Sequence, residues 1–166
     1  LTYRPAGEST GHLGLIGKGI MYDSGGISLK PSDAMHLLMK MDMGGAAAVL
    51  GAVAAMRDRG VTATVTGWLM CPDNMPSGDS YKLGDVLVSR DGTTIEVKNT
   101  DAEGRLVMSD AFGLANEEGV DAIIDIATLT GSALMTFGVN RAPVYANDDA
   151  LAETVLAASV AADEPL

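Results

Sequence analysis

The apolar residues of this chain fall into short segments whose spacing predicts alternating strands and helices. Residues 13–17 (LGLIG) predict a buried strand that ends in a glycine-rich loop. Residues 43–57 (MGGAAAVLGAVAAMR) are apolar almost all round, which is typical of a helix buried against a sheet. The β-branched and aromatic residues of 61–70 (VTATVTGWLM) favour a second strand, and 121–127 (DAIIDIA) favours a third, followed by a glycine turn.

The remaining segments complete an α/β pattern. A loop is predicted at 72–84, followed by a hairpin with strands at 85–88 and 94–97. A further strand is predicted at 141–146, and helices are predicted at about 105–118 and at 149–162. Alternating strands and helices predict an α/β fold with a mixed, mostly parallel sheet of about six strands and helices on both faces.

Composition and charge narrow the class of function. The net charge of −11 argues against a nucleic-acid-binding surface, because phosphate contacts need clustered Lys and Arg. Cys71 is the only cysteine, so no internal disulfide forms and a reducing compartment is expected. Charges or glycines interrupt every apolar run before about 18 residues, and the opening LTYRPAGEST lacks the pattern of a secretory signal. We therefore expect a cytoplasmic protein without a membrane partner.

Three segments place carboxylates beside glycines. They are KGIMYDSGGISLK from Lys18 to Lys30, MKMDMGG around Asp42, and NTDAEGR, which contains Asp101 and Glu103. The first segment also contains Asp23, so the three segments supply four carboxylates. These four groups would repel one another strongly if they met without cations. Two divalent ions would neutralise them, and hard oxygen ligands suit Zn, Mn or Mg. The set therefore predicts a site for two metal ions.

Each carboxylate also has a structural interpretation. Asp23 is suited to a turn, and Asp42 stands where the helix at 43–57 needs an N-cap. The segment from Thr100 to Glu103 fits a capping box before the next helix. Because a capping residue can also bind a metal, these interpretations remain open beside the metal site.

Other catalytic classes lack their motifs. His12 and His36 are the only histidines and do not form HExxH, so a zincin site is excluded, and both are interpreted as structural or surface residues. No GxSxG motif is present, and Ser24 has no evident base. The glycine loops match neither GxxxxGK[ST] nor GxGxxG, and their carboxylates would repel a phosphate.

At these residues the chain resembles the leucyl aminopeptidase family, also called the cytosol aminopeptidases or M17 peptidases. KGIMYDSGGISLK is similar to the family's first metal-binding stretch, MDMGGAAAV to the segment that follows, and NTDAEGRL to its most diagnostic motif. The resemblance runs from about Leu15 to Tyr145, with one extra residue between Lys30 and Asp42. It implies that residues 1–166 form a single partial catalytic domain, without the family's N-terminal domain or the C-terminal end of its catalytic domain.

The resemblance also implies a role for individual residues. One metal would be held by Lys18, Asp23, Asp42 and Glu103, and the other by Asp23, Glu103, and the side chain and carbonyl of Asp101. Lys30 and Arg105 would be catalytic, with Arg105 holding a bicarbonate ion that serves as general base. Met39, Thr128 and Gly131 would line the substrate side-chain pocket, and the Leu129 carbonyl would face the substrate backbone.

The function implied is that of a metal-dependent aminopeptidase. Such an enzyme would use two divalent ions, Mn or Zn, to release N-terminal amino acids, with a leucine-type preference, from peptides. The full-length protein would be a homohexamer. Two alternatives remain at this point: a non-catalytic scaffold with the same fold, and a different metal-dependent amide hydrolase that needs no free N-terminus.

Overall fold

A computed structural model describes all residues, Leu1–Leu166. The strands are β1 (Thr2–Tyr3), β2 (His12–Lys18), β3 (Thr64–Met70), β4 (Val86–Val88), β5 (Thr94–Glu96) and β6 (Ala122–Ile126). The α-helices are α1 (Ala34–Leu37), α2 (Gly44–Ala55), α3 (Glu103–Glu118), α4 (Gly131–Phe137) and α5 (Asp149–Ala162). Short 3-10 helices cover Met39–Met41 and Thr100–Ala102. The chain divides into two compact units, Leu1–Leu129 and Thr130–Leu166.

The first unit is built on a mixed sheet with the strand order β1-β3-β2-β6. Strand β2 runs parallel to both β3 and β6, and β1 pairs with β3 in the antiparallel sense. Strands β4 and β5 form a separate antiparallel hairpin. The mixed, mostly parallel α/β sheet is therefore confirmed, but the prediction of about six strands in one sheet was wrong, because the hairpin does not join it.

Two helices cover opposite faces of this sheet. Adjacent side chains of a strand point to opposite faces, and Leu15 and Ile16 of β2 accordingly enter different buried clusters. Leu15 packs with Val49 of α2 and with Met56 directly after it, and Ile16 packs with Met108 and Ala111 of α3. Helices on both faces are thus confirmed.

Glycines let α2 lie very close to the sheet. A Cβ atom on Gly17 of β2 would come within 2.6 Å of the Cα atom of Ala46, and one on Gly45 would strike the carbonyl of Ile126. No larger residue fits at either position without moving the helix. This close packing brings the segment before α2, which carries Asp42, to the carboxyl end of β2, which carries Lys18.

The second unit differs most from the sequence prediction. The predicted strand at 141–146 was wrong, because these residues have no regular structure. Pro143 in the middle of the segment cannot donate a ladder hydrogen bond, and Tyr145 is exposed. The predicted glycine turn after β6 is followed at once by α4, and α5 begins where Asp148 accepts a hydrogen bond from the Leu151 amide. No helix of the chain combines the length and apolar character that a membrane crossing requires.

Candidate metal centre

The three carboxylate-bearing segments meet beyond the carboxyl ends of the parallel strands. Lys18 is the last residue of β2, and Asp23 continues the same path in an isolated parallel bridge with Asn74, which follows β3. Glu103 opens α3, and Asp42 precedes α2. This edge is where α/β sheets generally bind ligands, because the loops after the parallel strands converge there.

Lys18 lies at the centre of one half of the cluster. Its side chain is buried, and its Nζ atom lies 2.7 Å from Asp42 Oδ2 and 2.9 Å from Glu103 Oε1. The same ammonium donates to the backbone carbonyl of Thr128 at 3.2 Å. A Cβ atom on Gly104 would lie 2.6 Å from the Lys18 Cε atom, so the glycine after Glu103 makes room for the lysine stem.

Lys30 occupies the other half. Its Nζ atom lies 2.9 Å from Asp23 Oδ2 and 2.6 Å from Asp101 Oδ1. Burial acts to lower the pKa of Lys30, but hydrogen bonds to Asp101 and Asp23 act against it, and the net effect is a raised pKa. With four carboxylates against the two lysines, −4 + 2 leaves the cluster a formal charge of −2.

The donor set fits divalent cations. Asp23, Asp101 and Glu103 each offer a carboxylate oxygen, and these oxygens lie within 4.8 Å of one another. Asp42 Oδ2 and Asp101 Oδ1 are buried and receive no hydrogen bond of good geometry, although a lysine nitrogen lies near each. Burial raises the pKa of Asp42, and hydrogen bonds from Lys18 and Thr128 offset this only in part. Carboxylate oxygens that only a lysine ammonium approaches, in a cluster with excess negative charge, are suited to hard metal ions.

Two capping interpretations of these carboxylates were wrong. Asp42 does not cap α2, which has Met43 at its N-cap and no side-chain cap, because the Asp42 carboxylate binds Lys18 and Thr128 instead. No capping box forms before α3 either, since the Glu103 side chain turns to Lys18. Asp23 does serve its turn, because its Oδ1 atom accepts a hydrogen bond from the Gly25 amide at 2.9 Å.

Three polar residues that the sequence did not single out for the site hold it together. Asn74 Nδ2 lies 2.8 Å from Asp23 Oδ1 and 3.2 Å from Glu103 Oε2. Thr100 donates its hydroxyl hydrogen to the Gly25 carbonyl at 2.6 Å, and Tyr81 donates to the Thr100 carbonyl at 3.2 Å. Burial, followed by the negative charges of the site, raises the pKa of Tyr81 to about 12. Asn74 and Tyr81 lie in the loop predicted at 72–84. The only feature of the sequence that could have indicated their role is that this loop follows a predicted strand.

The candidate substrate residues are distributed more widely. Thr128 donates its hydroxyl hydrogen to Asp42 Oδ1 at 2.8 Å, and Met39 is buried in the 3-10 helix that precedes Asp42. Arg105 and Leu129 line one cavity of about 280 Å³, together with apolar side chains of α3. Gly131 is the first residue of α4 in the second unit.

The sequence matches the cytosol aminopeptidase family, catalytic domain, over residues 1–166, and the chain belongs to this family. It is 47% identical over 165 residues to the probable cytosol aminopeptidase of Chlorobium phaeobacteroides, covering 99% of this chain and 33% of the relative. It is 53% identical over 148 residues to the corresponding protein of Streptomyces avermitilis, covering 89% and 29%. The chain thus spans about a third of the length of the curated relatives it matches.

A solved structure shares the fold as well as the sequence. The bottromycin maturation enzyme BotP, in a complex with Mn, superimposes with a TM-score of 0.92 at 45% identity, covering 99% of this chain and 36% of BotP. At this identity the likeness extends from the fold to the family.

Proposed function

We propose that this chain carries the metal centre of an aminopeptidase that removes N-terminal residues from peptides. The observation that carries the proposal is the cluster of Asp23, Asp101 and Glu103, of which Asp23 and Glu103 are buried and whose oxygens converge within 4.8 Å of one another. Family membership supports the reaction class, and the Mn-containing BotP structure supports a divalent metal.

The cluster divides naturally into two sets of ligands. Lys18, Asp23, Asp42 and Glu103 would hold one ion, and Asp23, Asp101 and Glu103 the other, so that Asp23 and Glu103 are shared. Lys18 can bind a metal only as the unprotonated amine, which has a free electron pair. Two divalent ions, Mn or Zn, would lower the pKa of a bound water and polarise the scissile carbonyl.

Lys30 and Arg105 are positively charged, and neither is assigned as a metal ligand. The Lys30 ammonium lies against two site carboxylates, and it would stabilise negative charge that develops on the carbonyl oxygen of the peptide. The exposed Arg105 lies on the first turn of α3, two residues after Glu103, where it would hold an anion such as bicarbonate.

The substrate would enter with its free amine towards the carboxylate cluster. Met39, Thr128 and Gly131 would line the pocket for the first side chain, with a leucine-type preference, and the Leu129 carbonyl would contact the substrate backbone. Because the site would bind the free α-amine of the substrate, such an enzyme would remove residues from the N-terminus of a peptide and would not cut within the chain. The proposal includes a cytoplasmic location, which the names of the relatives support, and a homohexameric complete protein.

Metal removal tests the proposal. Hydrolysis of Leu-p-nitroanilide by the full-length protein is expected to disappear after exhaustive EDTA treatment and to return on addition of Mn or Zn. An amide with a blocked N-terminus should not be cleaved, which separates this reaction from other metal-dependent amide hydrolysis. Full activity in a sample shown by elemental analysis to be free of metal would rule out the two-metal assignment. A fully loaded protein that cleaves no substrate with a free N-terminus would favour a scaffold.

A further inference from the structure

Asn74 is held rigidly against the segment that carries Asp23. Its backbone amide donates to the Tyr22 carbonyl at 3.0 Å, and its carbonyl accepts from the Ser24 amide at 3.0 Å and from the Ser24 hydroxyl at 2.6 Å. The residue is buried, with 5% of its surface exposed. Its side chain therefore has little freedom to leave the site.

The Asn74 amide group faces three acceptors. Its Nδ2 atom lies 2.8 Å from Asp23 Oδ1, 3.0 Å from the Thr100 carbonyl and 3.2 Å from Glu103 Oε2. Because all three neighbours can only accept while both carboxyls are ionised, the nitrogen and not the oxygen of the amide must point into the cluster. Two amide hydrogens are thus shared among three acceptors, one from the segment of Asp23 and two from the segment 100–103.

These contacts decide which oxygen of each carboxylate remains available. With Asp23 Oδ1 and Glu103 Oε2 facing the amide, Asp23 Oδ2 and Glu103 Oε1 face cations, each 2.9 Å from a lysine nitrogen. Asn74 is uncharged, so it restrains two anions without neutralising them. The excess negative charge that would attract metal ions is preserved.

We propose that Asn74 is a positioning residue of the metal centre that sets the orientation of both shared carboxylates. The inference rests on the proposed function, in which Asp23 and Glu103 contact both ions. Since Asn74 acts on the two shared ligands, its loss should weaken both ions together. Loss of Asp42 or Asp101, each assigned to one ion, should weaken that ion first.

The test uses Asn74→Leu, which has the same branching and number of side-chain heavy atoms but donates no hydrogen bond, and Asn74→Ala. In the full chain, both Mn dissociation constants are expected to rise by a similar factor, ~10–100-fold, as is typical when the hydrogen-bonding partners of metal ligands are removed. At saturating Mn, the electron paramagnetic resonance spectrum is expected to shift from that of a coupled Mn pair towards that of isolated ions. Asn116→Ala, on the exposed side of α3, serves as the matched control and should leave both measurements unchanged.

A purely structural role gives a different pattern. The variants would then unfold more easily in chelator, yet at saturating Mn they would show the wild-type coupled spectrum and affinities, and this result overturns the inference. If neither variant folds, Asn74→Ser, whose single hydroxyl hydrogen cannot be donated to both carboxylates at once, replaces them, and wild-type Mn affinities in that variant also overturn it. If the wild-type chain itself binds no Mn pair, the proposed function fails instead.

Discussion

At the scale of single residues, the site is organised as two lysines that each hold a pair of carboxylates. Lys18 holds Asp42 and Glu103, and Lys30 holds Asp23 and Asp101. Buried charges are costly unless they are paired, and although every carboxylate contacts a lysine, the cluster keeps a net formal charge of −2. The two ammonium groups therefore offset only half of the negative charge of the four carboxylates.

Glu103→Gln tests whether this carboxylate is a shared ligand. Gln keeps the shape of Glu but removes the charge, so both ions should bind more weakly, by more than the ~10–100-fold that is typical for outer-shell partners. The measurement is metal content per chain by elemental analysis after dialysis against dilute Mn, together with turnover. Glu117→Gln on the exposed face of the same helix removes only a surface ion pair with Arg90 and should have no effect. Two ions per chain and normal turnover in Glu103→Gln would contradict the ligand role.

The raised pKa of Tyr81 predicts that the free energy of unfolding decreases at high pH. Because burial and nearby carboxylates raise the folded-state pKa from 10.0 to about 12, the folded protein favours the neutral phenol. This contribution to stability is fully present below pH 10, where both states are protonated, and is lost as the pH rises from 10 towards about 12. Tyr81→Phe should remove the phase near pH 12 from a phenolate absorbance titration and should flatten the fall in unfolding midpoint across that range. A late phase that persists in Tyr81→Phe would contradict the assignment.

The sequence could predict the charged part of the site but not its uncharged supports. The convergence of Asp23, Asp42, Asp101 and Glu103 follows from carboxylates repeatedly placed beside glycines, which allow close approach of the backbone. Asn74 gave no comparable signal, because asparagine is common in turn-rich loops and its three acceptors come from distant segments. The metal-binding, catalytic and substrate-binding roles of the site residues, including Met39, Arg105, Leu129 and Gly131, all remain predictions.

At the scale of elements, the prediction succeeded where local pattern and burial agree. Strands β2, β3 and β6 and helices α2, α3 and α5 form close to their predicted positions, because their apolar residues have the spacing that the fold needs. The segment 141–146 has the apolar residues of a strand, but Pro143 has no amide hydrogen to donate to a neighbouring strand. No strand forms there, because apolar composition alone does not supply the hydrogen bonds of a sheet. Helix α1 is only four residues long and has no buried residue, so no apolar periodicity could have revealed it.

The edge strand β6 carries its own protection against association. It pairs only with β2, and Asp125 is the single charged residue in its sequence AIIDI. A charge on an open edge discourages pairing with another chain. Asp125→Val would create a continuous β-branched segment, and we expect more aggregation, measured by light scattering at fixed protein concentration. Asp125→Lys retains a charge and should stay dispersed. Equal scattering by the Val variant and the wild type would show that the edge is protected in another way.

At the scale of the whole molecule, the effect of salt on the acidic surface has to be distinguished from metal binding at the acidic site. The net charge of −11 means that any added salt screens repulsion between carboxylates across the surface. A specific metal site differs because its charge excess is buried, where screening by bulk salt is weak. Stabilisation by metal therefore reports on the site only when ionic strength is held constant.

Under that condition, Mn is expected to stabilise the entire first unit, because the ligands come from the end of β2, the segment before α2 and the start of α3. A ligand that binds only the folded state stabilises it by about 2.7 kcal/mol per ion at a free concentration 100-fold above the dissociation constant. The measurement is denaturant unfolding in chelator and in Mn, with KCl added to match ionic strength. Glu103→Gln should lose most of the difference, whereas Glu117→Gln should keep it. If KCl alone reproduced the effect of Mn in the wild-type chain, the stabilisation would come from surface screening, and the buried cluster would not be the site of binding.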